Sequence, residues 1–95
     1  MKTKNVMLCI KWFSAWDKGL KIPEFLEEDM AEFEEKYEDL RMVLPLHYRE
    51  IFDYMCSGLS PTDVAMVKRV SKWSVYGKVR LMQKYLKWVF GNEES

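Results

Sequence analysis

Residues 60–79 read "SPTDVAMVKRVSKWSVYGKV", and their punctuation decides the fold of this 95-residue chain. Ser60 stands where a helix takes its N-cap, Pro61 occupies the first helical position and Asp63 falls in the first turn, so a helix starts here. Val64, Ala65 and Val67 supply its inner face. The helix must be short, because Val70 and Ser71 read as a turn followed by a second N-cap. A longer helix then runs from Lys72 towards Phe90, with Val75, Val79, Met82, Leu86 and Val89 as its apolar stripe. Lys72, Tyr76, Arg80, Lys84 (or Gln83) and Lys87 form the opposite stripe. Small Ala65 allows the two helices to approach closely. Val70 in the turn and Val75 beyond it are expected to close the core between them, and Ser71 caps the second helix.

Outward from this stretch everything reads helical, since no run alternates with period two for long enough to form a sheet. A first helix over 5–18 puts Val6, Cys9, Ile10, Phe13 and Trp16 on one face. Met7, Leu8, Trp12 and Ala15 crowd its flanks, so this helix is either central or part of an interface. Gly19 is its natural stop. Pro23 suits a first helical turn, and from there Leu26, Met30, Phe33, Tyr37, Leu40 and Leu44 recur at spacings of four, three, four, three and four. This seam packs on the core, or it meets a protein partner through Leu26, Met30, Phe33, Tyr37 and Leu40. Pro45 breaks the chain. A third helix over 46–57 buries Tyr48, Ile51, Phe52 and Met55 and ends at Gly58. Trp88 and Phe90 are expected to pack back on the first helix. The expected architecture is all-α: a five-helix domain with a C-terminal helix-turn-helix preceded by two N-terminal helices. Residues 1–43 form the N-terminal pair, 44–90 the helix-turn-helix segment and 91–95 a disordered tail.

The chain is 48% hydrophobic and holds four Trp, five Tyr and five Phe, too much for a disordered protein and enough to leave some aromatics facing a partner. The basic, apolar N-terminus is interrupted by Trp16, Asp17 and Lys18 and lacks a small-residue cleavage site, so it does not read as a signal peptide. No apolar stretch approaches the length of a membrane span. Cys9 and Cys56 show no paired spacing, which favours a cytoplasmic protein with reduced thiols. They read as small core side chains rather than nucleophiles. His47 stands alone, without companions at metal-ligand spacing, and no Ser-His-acid set or Gly-rich phosphate loop is present. The expectation is therefore a protein that is not an enzyme, with no metal, no cofactor and no membrane partner.

A formal net charge of zero conceals a division. Residues 23–40 carry nine carboxylates against one lysine, whereas 60–90 carry seven basic groups (Lys68, Arg69, Lys72, Lys78, Arg80, Lys84, Lys87) against Asp63 alone. A solvated amphipathic helix would mix its charges, so the one-sided basic stripe points to phosphate and thus to double-stranded DNA. A short helix, a tight turn and a longer basic helix is the outline of a DNA-binding helix-turn-helix. The order of "LP" at Leu44-Pro45, "YREIF" at Tyr48 to Phe52, "GLS" at Gly58 to Ser60, "DVA" at Asp63 to Ala65 and "VSKWSV" at Val70 to Val75 resembles region 4 of bacterial sigma factors.

That resemblance covers about half of the chain. It implies a transcription regulator that binds promoter DNA, in a bacterial cell or a phage-infected host, of the small stand-alone type found in phages. It also implies base-reading positions at Lys72, Trp73, Tyr76 and Gly77 and phosphate contacts at Thr62, Arg80 and Lys84. Lys78 and Arg69 are further phosphate candidates. Trp73 reads either as a base contact or as a side chain packed on the flank. Nothing in 1–43 resembles the rest of a sigma factor. An alternative is therefore a module that binds RNA polymerase or a sigma factor through the acidic helix, as a sigma mimic, antiterminator or inhibitor. A homodimer through the first two helices is compatible with either reading. The family places an apolar residue and then glycine before the turn, where this chain has Lys68 and Arg69. An arginine in the left-handed conformation costs about 1 kcal/mol or more, so a wider or differently shaped turn is expected.

Overall fold

The computed structural model describes residues 3–90. Among these the chain is all-helical, with α1 over Thr3–Asp17, a 3-10 turn at Glu24–Leu26, α2 over Glu27–Glu35, α3 over Tyr37–Val43, α4 over Leu46–Cys56, α5 over Pro61–Lys68 and α6 over Lys72–Phe90. No helix among the described residues is long and apolar enough to cross a membrane. The expected tail at 91–95 and the side chain of Phe90 lie outside the described residues.

The single acidic helix expected after Pro23 is two helices, which makes six among the described residues in place of five. The break falls at Lys36, whose ψ of 6° leaves the helical range. Two causes act together. A strict seven-residue seam drifts by about 20° per heptad on a straight α-helix, so a straight rod would rotate the seam off the core. The two halves also serve different partners: α2 packs against α1, whereas α3 packs against α6 and α4. Repulsion between carboxylates four apart, such as Glu34 with Glu38 and Glu35 with Asp39, lowers the cost of the break.

Leu26, Met30, Phe33, Leu40 and Leu44 are buried in the chain's own core, and Tyr37 is half-buried. The seam offered as a protein-interaction surface is thus covered by this chain's own helices. Phe33 meets Phe13 edge-on at 5.5 Å between ring centroids, Phe13 lies flat on Tyr37 at 5.0 Å, and Phe52 closes the cluster 6.2 Å from Phe33. α1 is the central helix, packed on α2, α4 and α6 with Val6, Cys9 and Ile10 fully buried. The core is continuous from Val6 to Leu86.

The breaks are held by polar contacts. Arg41 forms a two-pronged pair with Asp53 at 2.8 and 2.9 Å, linking α3 to α4. Arg49 donates to the carbonyls of Arg41 and Leu44 at 2.9 and 3.2 Å, which satisfies the open end of α3 ahead of Pro45. Both thiols are buried. Burial first, then Asp29 and Glu32, pushes the Cys9 thiol up to about 12. Burial and Asp53 raise Cys56 in the same way.

Candidate nucleic-acid interface

The α5–α6 pair is built from its caps. Ser60 accepts from the backbone N–H of Asp63 at 3.1 Å, and the Asp63 carboxylate accepts from the Ser60 N–H at 3.1 Å, a reciprocal capping box. Val64 and Ala65 are buried, and α5 packs more extensively on α6 than on any other helix. Ser71 caps α6 by accepting from the Ser74 N–H at 3.1 Å. Val67 and Val70, expected inside, are exposed at 54% and 44%. α5 has only two turns, and the residues it buries are Val64 and Ala65 in its middle; Val67 lies beyond them at the end of the helix and Val70 past it.

Between the helices the chain makes the tight turn that the arginine was expected to prevent. Arg69 takes the left-handed conformation itself, at φ 58° and ψ 44°. Its N–H donates to the Met66 carbonyl at 3.3 Å, and the Val70 N–H donates to the Ala65 carbonyl at 3.0 Å. α1 ends with the same pair of bonds, from Gly19 to Trp16 at 3.0 Å and from Leu20 to Ala15 at 2.8 Å; α4 repeats it from Gly58 to Met55 and from Leu59 to Tyr54. Three helix ends thus share one closing geometry. Two use glycine with positive φ, and the one beside α6 uses arginine.

On α6 the division of faces is as expected: Val75, Val79, Met82 and Leu86 are buried, and Lys72, Trp73, Tyr76, Arg80 and Lys84 are exposed. Trp73 is 73% exposed rather than packed on the flank. The Lys72 ammonium lies 5.2 Å from the centre of its ring, and the Tyr76 ring stands 6.1 Å away, tilted by 46°. Thr62 joins the group through a 3.3 Å hydrogen bond between its hydroxyl and that of Tyr76, which ties the start of α5 to the exposed face of α6. Lys72, Trp73, Tyr76, Gly77, Val79, Arg80 and Gln83 surround a shallow depression of about 690 Å³. Comparison of the chain with protein-family models, with curated proteins and with solved structures finds no match.

Two expected members stand apart. Lys78 is half-buried and lies roughly 160° around the helix from Arg80, beside the core face. Lys84 is exposed but lines a second groove, with Val43, Tyr48, Leu81, Tyr85 and Trp88. Trp88 is 75% exposed instead of packed on α1, because it follows Lys84 by one turn and therefore shares its outward face. That position was legible from helical spacing. Lys68 is bound to Glu50 at 2.9 Å, which fixes α5 to α4 and withdraws this lysine from the basic set. No carboxylate among the described residues lies within ion-pair distance of Arg69, Lys72, Arg80 or Lys84.

Proposed function

We propose that α5, its turn and α6 act as a DNA-binding helix-turn-helix similar to sigma factor region 4, and that the protein regulates transcription at promoters. One observation carries this reading: an exposed, carboxylate-free surface on the first half of α6 gathers Lys72, Trp73, Tyr76 and Arg80, with Arg69 in the adjoining turn. A recognition helix contacts base edges with its N-terminal residues while its inner face is held rigidly. Buried Val75, Val79 and Met82 and the Thr62–Tyr76 bond supply that rigidity. Lys72 and Tyr76 would contact bases, and Arg69 and Arg80 would meet phosphates, with Lys84 extending the track along the helix.

A salt titration of duplex binding tests the reading. Each neutralised phosphate contributes about 0.9 to the slope of log K against log salt, so Arg69→Ala with Arg80→Ala should weaken binding to every sequence and reduce the slope by about 2. Unchanged affinity and slope would refute it.

A second reading rests on the opposite pole. Glu24, Glu27, Glu28, Glu34 and Glu35 are exposed, and Phe25 stands among them 67% exposed, an apolar anchor within an acidic field. This surface suits a basic patch on RNA polymerase or on a sigma factor. Charge reversal separates the two: Lys72→Glu with Arg80→Glu abolishes function under the first, and neutralising Glu27, Glu28, Glu34 and Glu35 abolishes it under the second.

A further inference from the structure

Gly77 lies in the interior of α6, where glycine weakens a helix relative to alanine. A glycine at such a position usually answers to a neighbour that needs the space or to a backbone that needs positive φ. Neither applies here. Apart from its chain neighbours and its own helix backbone, no atom of the described residues comes within 4 Å of the place a Cβ would occupy, and the residue is helical. The space it clears therefore opens outward, onto the floor of the depression ringed by Trp73, Tyr76, Arg80 and Gln83.

We propose that this depression takes an unpaired base of DNA, stacked on the indole of Trp73; the proposal rests on the DNA-binding reading above and names the form of DNA that the site prefers. Gly77 follows Trp73 by one helical turn, so the helix surface beside the indole is bare and a flat ring can lie against both. Tyr76 is tilted by 46° to the indole and does not stack on it, its hydroxyl is held by Thr62, and the Lys72 ammonium stands over the ring, so a base would stack on the opposite face. An indole has one N–H donor and no acceptor, which makes it a poor reader of base edges in a groove but a good platform for a base face. In a duplex those faces are covered by neighbouring pairs, so only an unpaired base presents one. Lys72 and Arg80, which also line the depression, bring positive charge for the flanking phosphates, and the Gln83 amide can both donate to and accept from the edge of the base. Stacking of this kind tolerates any base, because each has a π face.

Fluorescence anisotropy at one salt concentration tests the proposal with two probes: a labelled duplex, and the same duplex with a central bubble of mismatched thymines. The bubble is expected to bind about tenfold more tightly. Trp73→Ala should bring its affinity down to that of the duplex, whereas Trp73→Phe, which keeps an aromatic face, should retain most of the preference. Gly77→Ala should shrink the bubble's advantage while its thermal midpoint stays the same or rises, which separates occlusion of the site from damage to the fold. Equal wild-type affinity for bubble and duplex, or a preference that survives Trp73→Ala, overturns the proposal. In that event salt-dependent duplex binding would leave the helix-turn-helix reading standing. Binding to neither DNA overturns both.

Discussion

Replacing Arg69 with glycine should make this protein more stable and a weaker ligand for DNA. A non-glycine residue in the left-handed region costs about 1–2 kcal/mol, while glycine costs roughly 0.5–1 kcal/mol through its freedom in the unfolded chain. The difference favours the variant by about 0.5–1 kcal/mol. Among the described residues no hydrogen bond or ion pair of the Arg69 side chain offsets this gain, and both backbone bonds at the turn survive because Gly19 and Gly58 make the same pair in the same chain. For a domain of this size the gain corresponds to a rise of roughly 2–8 °C in Tm. In urea the midpoint should move up with an unchanged m-value. The salt slope of duplex binding should fall by about 1, since one phosphate partner is lost. Arg69→Ala removes the same charge but keeps the strained backbone, so it should reproduce the loss in slope without the gain in stability. A thermal midpoint for Arg69→Gly at or below that of the wild type would refute the backbone reasoning. An unchanged salt slope in both variants would remove Arg69 from the proposed interface.

Two further predictions concern the core. Phe33 is fully buried against Phe13, Tyr37 and Phe52, so Phe33→Ala should cost about 3–5 kcal/mol by chemical denaturation, a large part of the stability of so small a domain. The Cys9 thiol titrates near 9.0 when unfolded and at about 12 when folded, so its contribution is complete below about pH 9 and is lost as pH rises towards 12. Cys56 acts in the same direction. A Cys9→Ala, Cys56→Ala variant should therefore lose less stability than the wild type on raising the pH through this window, as followed by urea midpoints; parallel losses would refute the assignment.

Much of the framework was legible without coordinates because its signals are local. Ser60 with Asp63, and Ser71 with Ser74, announce helix starts through hydrogen bonds that span three residues. The period of Val75, Val79, Met82 and Leu86 announces the buried face of α6, and the outward side of that same period locates the candidate interface. The expectations that failed concern what lies beside a residue rather than what it prefers. Val67, Val70 and Trp88 are apolar, yet they are exposed, because burial depends on which surface faces a residue and not on its own polarity. Glycine at 77 could be read as a helix weakness, but that it clears space outward and not inward required knowing that no other helix of the described residues packs there.

By itself, then, the sequence determined an all-helical chain, the capped ends of α5 and α6, the amphipathic face of α6 and the segregation of charge into an acidic and a basic pole. The first three follow from hydrogen bonds and periodicities that close within a few residues, and the last from composition counted along the chain. Only the tertiary structure decided that the acidic helix breaks at Lys36, that its seam is spent on the chain's own core, and that Arg69 bears a conformation glycine would adopt more cheaply. A left-handed residue costs about 1–2 kcal/mol, less than burying side chains such as Val64 and Val75 contributes, so the packing of α5 on α6 holds an arginine left-handed beside the exposed Trp73 and Arg80.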